Sequence, residues 1–176
     1  KSKENLDVLV GTGVTREDLL FRLGNIHAKR KKYDSAIRCF EESKQLTEER
    51  LGTSEHNIIG NILFNLGNIY KDIHAAQGEM KKQEAKEKAI EAYDESLRIA
   101  KVTSGPNAMA VAEVMESLAA LLMEDDDPQN FPDRAYNEEE EATKLLREAI
   151  SIRTKNRSEM NLAFGRSMHY LGLLCL

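Results

Sequence analysis

The stretch Leu63-Phe64-Asn65-Leu66-Gly67-Asn68-Ile69-Tyr70 recurs in outline at Leu20 to His27, Met115 to Leu122 and Met168 to Cys175. Each copy holds a large apolar residue, a leucine three positions on, and then a small residue: Gly24, Gly67, Ala119 or Gly172. Three positions further stands His27, Tyr70, Leu122 or Cys175. Steps of three and four place these side chains on one face of an α-helix. Glycine inside a helix costs about 1 kcal/mol relative to alanine. Its return in one slot therefore marks where a neighbouring helix comes close. A chain that repeats such a face buries it by stacking the copies on one another.

Each of the first three copies is followed by a second frame: alanine, a bulky residue four on, and a small residue three beyond that. The frames are Ala36, Phe40 and Ser43, then Ala89, Tyr93 and Ser96, then Ala142, Leu146 and Ala149. Together the two halves resemble the tetratricopeptide repeat, W-x2-L-G-x2-Y followed by A-x3-F-x2-A. The resemblance covers about Thr15 to Leu176. It implies an all-α fold, an α-solenoid of antiparallel helix hairpins in which helix A packs against helix B and the pairs wind into a superhelix. About seven helices are expected, in repeats at about 16–52, 53–104 and 105–156 with a half repeat at 157–176. Residues 1–14 precede them as the end of an earlier helix or as a tail; Gly11 and Gly13 argue for a break there.

The helix boundaries follow from caps and breakers. Thr15 reads as an N-cap with Glu17 and Asp18 in the first turn. Helix 1A is expected over 16–30 and 1B over 34–50. Leu51-Gly52-Thr53-Ser54 stops 1B and caps 2A, which runs over 55–76, and Gly78 turns the chain into 2B over 81–102. Gly105 stops 2B, and Pro106 stands near the first turn of 3A, which reaches about Glu124. A polar loop from Asp125 to Asp133 follows; Asn137 caps 3B, which reaches about Lys155.

Spacing refines the resemblance. From the A-helix small residue to the next B-helix alanine is 12 residues in the first repeat, 22 in the second and 23 in the third. From that alanine to the next small residue is 31, 30 and 30. The ordinary period is about 34 residues, so the excess in this second half lengthens the helices around the B-to-A turn by roughly two helical turns. The long form is similar to the repeats of kinesin light chains, a motor's cargo adaptors. Leu51-Gly52-Thr53-Ser54-Glu55-His56 resembles that family's Leu-Gly-x-x-His turn, shifted by a residue, and Phe64-Asn65-Leu66-Gly67 resembles its Asn-Asn-Leu-Ala helix. The chain departs from the pattern in two A-to-B insertions, near 77–88 and 125–137, and the third repeat lacks both asparagines.

The resemblance implies a non-catalytic protein–protein interaction scaffold or adaptor that takes a peptide or partner helix in the concave groove lined by A helices. A-helix residues that turn away from the packing stripe are then the candidates: Arg22, Asn25 and Lys29 in the first repeat, with Phe21 beside them. The second repeat adds Asn61, Asn65, Asn68 and Lys71, and the third adds Glu113 and Glu116. A carboxamide both donates and accepts, so Asn65 and Asn68 suit a peptide backbone; the alternative is that they are solvated or bond a neighbouring helix. The basic clamp of chaperone-binding members is not matched, because Phe21, Glu113 and Ser117 occupy its slots.

Other function classes find little support. Net charge is −5 with both signs interspersed, where a nucleic-acid surface would show a basic stripe. No apolar run approaches the roughly 18 residues of a membrane span. Asp125-Asp126-Asp127 lacks the glycine and closing glutamate of a calcium loop and reads as a solvated acidic loop. The four histidines show no ligand spacing, and no nucleophile–base or paired-carboxylate motif stands out among 31% charged residues. No enzyme activity, cofactor or metal is expected. Cys39 and Cys175 read as buried thiols of a reducing compartment, so a cytoplasmic location is expected. The apolar end Leu171 to Leu176 is expected to be met by further chain, a second copy or a partner. A spacer that self-associates there, or a regulatory segment of a larger enzyme or signalling protein, are the rival readings.

Overall fold

The computed structural model describes residues 13–76, 79–124, 132–156 and 162–173, which hold seven α-helices and no strand. They are α1 (Arg16–Lys29), α2 (Tyr33–Leu51), α3 (Asn57–Ala76), α4 (Glu79–Ser104), α5 (Met109–Leu122), α6 (Pro132–Lys155) and α7 (Leu162–Leu173). The tail up to Thr12, the turn at Gly78, the Asp125-Asp126-Asp127 loop and Cys175 lie outside the described residues.

Local chemistry sets most of the ends. Thr15 caps α1 with a full capping box: its hydroxyl accepts from the Asp18 N–H at 3.3 Å, and its own N–H donates to Asp18 Oδ2 at 3.1 Å. Gly52 closes α2 in the left-handed conformation (φ 67°), its N–H bonded to the Glu48 carbonyl at 2.8 Å. Gly105, at φ 86°, follows the last residue of α4 in the same way.

Three expected starts move. Helix α3 begins at Asn57, and His56 rather than Ser54 precedes it: the Ile58 N–H donates to His56 Nδ1 at 3.2 Å. Pro106 and Asn107 stay outside α5, in a turn closed by the Ala108 N–H on the Gly105 carbonyl at 3.1 Å. Helix α6 starts at Pro132, which lacks the N–H that a first helical residue does not need. Asn137 therefore lies inside α6 and is not its cap. Helix α4 takes in the insertion near 77–88 from Glu79 on, and α6 takes in the one near 125–137 from Pro132 on. Helices α3 and α4 have 20 and 26 residues against 14 and 19 in α1 and α2.

The chain forms two compact units, up to Ala89 and from Ile90 onward. In the first, α1 and α2 make a hairpin through a three-residue turn, and α3 packs against α2 and touches α1. In the second, α5 and α6 pack together and α7 lies against α6. The B-helix frame is the core of both. All nine frame residues, from Ala36 to Ala149, are at most 2% exposed.

The A-helix frame is buried in the third copy, where Met115, Leu118, Ala119 and Leu122 are all inside. In the first copy Gly24 is buried but Leu23 is 42% exposed. Leu23 thus departs from its expected packing role, because no helix among the described residues precedes α1 to cover it. Gly24 has the reason its slot implied. A Cβ there would sit 3.0 Å from Cε1 and Cζ of Phe40, whose ring is fully buried.

Candidate functional site

The candidate face of the first unit follows from what its helices bury. Helix α3 hides Ile59, Ile62, Leu63, Leu66 and Ile69, which leaves Asn61 exposed and Asn65, Asn68 and Lys71 half-buried beside them. On α1, Arg22 and Lys29 are exposed and Asn25 is half-buried. The two helices thus offer carboxamides with a rim of cations.

The asparagines share a geometry. Asn25 donates its side-chain N–H to the Phe21 carbonyl at 3.1 Å, and Asn65 donates to the Asn61 carbonyl at 2.8 Å, each one turn back on its own helix. Asn65 also lies 3.4 Å from Asn61 Oδ1. Each bond uses one of two amide hydrogens and fixes the side chain against its helix. Phe21, grouped with the groove residues from sequence, turns its ring edge-on to Phe40 at 5.5 Å between centroids, so part of it belongs to the hairpin core.

Below this face, charges tie the first hairpin together. The Glu17 carboxylate accepts from Arg50 Nε, and the Glu17 carbonyl accepts from the Ser43 hydroxyl at 2.9 Å. Arg16 pairs with Glu42 beside it. Burial alone would raise the Glu17 carboxyl, but its backbone hydrogen bond, Arg50 and Thr15 outweigh that and hold it below the ordinary 4.5. Asp18 is lowered chiefly by the Thr15 N–H. Lys88 Nζ of α4 sits 5.8 Å from the centre of the Tyr70 ring of α3, and burial pushes the Tyr70 phenol up.

In the second unit the two candidate acids differ. Glu113 is exposed on α5. Glu116 is engaged: Arg153 of α6 donates Nε to Glu116 Oε1 at 2.5 Å and Nη2 to Oε2 at 2.7 Å. The pair is nearly dry, with side chains 5% and 12% exposed, so Glu116 serves as a strut between α5 and α6. Sequence reasoning had no signal for this pair, which joins residues 37 apart. Among the described residues no group of histidine, cysteine and carboxylate side chains could hold a metal ion, and no helix is long and apolar enough to cross a membrane. Cys39 is a half-buried free thiol, raised above its ordinary range chiefly by burial.

Comparison with known proteins agrees with the hairpin geometry. Residues 17–50, which are α1 from its second residue and nearly all of α2, match the tetratricopeptide repeat family. The first hairpin is thus similar to a tetratricopeptide repeat. The chain's all-α solenoid of antiparallel hairpins is similar to the crystal structure of BtubC (BKLC) from P. vanneervenii, with a TM-score of 0.55 at 17% sequence identity. The similarity covers 93% of this chain and 65% of that one, so the repeat domain spans less than two thirds of that structure. At this identity the likeness concerns the fold alone. No curated protein is significantly similar in sequence. Tetratricopeptide repeats in general mediate protein–protein interaction and are not catalytic.

Proposed function

We propose that the domain is a non-catalytic adaptor that holds an extended peptide or a partner helix against the A-helix face of its first unit. The observation that carries the reading is the matched pair of back-bonded asparagines, Asn25 on α1 and Asn65 on α3. Each amide is held against its helix while its carbonyl oxygen, and at Asn25 a second N–H, can meet a ligand backbone. Asn68 and Asn61 extend the carboxamide strip, and Arg22, Lys29 and Lys71 favour acidic side chains flanking the bound segment. In the second unit Glu113 would favour a basic residue. A cytoplasmic location is part of the same proposal.

The test is binding. Wild type and Asn65→Ala/Asn68→Ala, both confirmed folded by circular dichroism, are compared for what each retains from a cell lysate by mass spectrometry. Partners lost only by the variant support the face; an unchanged set removes it.

A second reading is self-association through α7. Met168 and Leu173 are 48% and 51% exposed, and a Cβ on Gly172 would meet nothing within 4 Å. The slot that takes Phe40 at Gly24 is open here. Light scattering that shows only monomer over a wide concentration range would exclude this reading.

A further inference from the structure

Residues 19–33 hold five cations and no carboxylate, in a chain whose net charge is −5. Four of them, Lys29, Arg30, Lys31 and Lys32, follow one another from the end of α1 to the residue before α2, and all four are exposed. Cations elsewhere meet carboxylates, as Lys44 meets Glu48 and Lys88 meets Glu84. Among the described residues Lys29 to Lys32 have no such partner. The two carboxylates of α1 are both engaged, Glu17 by Arg50 and Asp18 by the Thr15 cap.

An apolar stripe leads into this run. Leu19, Leu23 and Ile26 are 37%, 42% and 48% exposed, although α1 packs against α2 and touches α3. The matching positions of α3, Ile62, Leu66 and Ile69, are at most 6% exposed. Steps of four, three and four put Leu19, Leu23, Ile26 and Arg30 on one side of α1. The helix therefore turns outward a strip of branched aliphatics that ends in unpaired positive charge. Long basic side chains lay their stems along apolar surface and keep the charge at its wet edge. A helix of this kind suits the plane of a membrane surface, with aliphatics below the headgroups and cations among the phosphates.

We propose that α1 and the turn after it dock the protein on a membrane surface rich in anionic phospholipid. Leu19, Leu23 and Ile26 enter the headgroup boundary, and Lys29 to Lys32 lie among the negative headgroups. Charge favours this occupant over a folded protein. An unbroken run of four cations matches a dense and uniform sheet of negative charge. It offers no acceptor side chain to fix the register of a structured partner. The contact lies on the surface and needs no spanning helix, and none is present among the described residues. Asn25 projects from another side of α1, so the peptide-binding reading and this one stand or fall separately.

The test is co-sedimentation of the full chain with vesicles of phosphatidylcholine, alone or mixed with phosphatidylserine, at low and high salt. Leu23→Ser/Ile26→Ser and Lys31→Glu/Lys32→Glu are compared with wild type, all confirmed folded by circular dichroism. Val102→Ser, at an aliphatic 62% exposed on α4, is the control. Wild type should bind the anionic vesicles at least about tenfold more tightly than the neutral ones, and less tightly in high salt. The lysine pair should lose about 30-fold or more, the aliphatic pair at least about fivefold, and the control nothing. Equal binding to both vesicle types, no binding to the anionic ones, or an aliphatic pair that binds as wild type does overturns the proposal. So does a wild type that ignores vesicles but binds a synthetic amphipathic helix of leucine and glutamate, which would make an acidic protein segment the occupant.

Discussion

Gly24→Ala is the sharpest test of the packing logic, because two effects of opposite sign meet at one methyl group. Alanine in place of glycine should stabilise α1 by about 1 kcal/mol through propensity alone. Against this, the new Cβ would lie 3.0 Å from two ring carbons of Phe40 and 3.1 Å from a third. The ring has little room to retreat, being fully buried and held edge-on by Phe21. Overpacking of this kind costs about 1–3 kcal/mol, so the net change should be a loss of about 0–2 kcal/mol. In a domain of this size that lowers Tm by up to roughly 8 °C. Phe40→Leu removes the offending atoms at its own cost, and on that background Gly24→Ala should gain about 1 kcal/mol. The cycle, read by chemical denaturation, should therefore give a coupling of about 1–3 kcal/mol. Gly172→Ala is the control, since its Cβ would meet nothing within 4 Å. If Gly24→Ala stabilises the chain on both backgrounds, the close approach is not what keeps glycine in this slot.

The remaining predictions concern polar groups under or beside the packing faces. Glu116→Gln should cost about 3 kcal/mol, because it leaves the buried Arg153 guanidinium poorly compensated. The double variant Glu116→Leu/Arg153→Met should recover more than half of that in denaturant titrations; equal losses would mean the pair is not coupled. Glu17 has a folded pKa below its ordinary 4.5, so its contribution is fully present above that value and is lost as pH falls through the folded one. Glu17→Gln should therefore melt below wild type near neutrality, and the two curves should converge in acid; a constant gap would refute the linkage. His27 Nδ1 is buried without a partner in the slot that Leu122 fills in the third repeat. His27→Leu should then gain about 1 kcal/mol, visible in calorimetry as a Tm higher by roughly 2–4 °C, and a lower Tm would show that the ring is bonded through water.

What was legible in the chain was its sterics, and for a reason that repeats allow. Ala36, Phe40 and Ser43 recur in kind as Ala89, Tyr93 and Ser96 and as Ala142, Leu146 and Ala149. Each triad solves the same packing problem, so three copies confirm one another, and all nine residues are buried. Gly24 could be read as a contact point for the same reason. Polar solutions are local and do not recur. Arg153 and Glu116 meet across 37 residues in a chain where 31% of residues are charged, and no spacing rule selects that pair from its competitors. The His56 cap was missed because Ser54 is the better cap by type, and only the backbone shows that α3 starts at Asn57.

The candidate face lies between these cases. Its asparagines were marked by a carboxamide's capacity both to donate and to accept, but the bonds of Asn25 and Asn65 to the Phe21 and Asn61 carbonyls needed coordinates. Those bonds change the expected behaviour of the face. An amide already held to its helix loses less rotamer freedom when a ligand arrives. Asn25→Asp and Asn65→Asp, which keep the shape but remove the donor, should therefore weaken peptide binding more than loss of one ligand contact would. Exposed Asn61, whose side chain is less confined, should show a smaller effect. Equal losses at Asn61 and Asn65 in a titration with a captured peptide would mean that preorganisation is not what these asparagines supply.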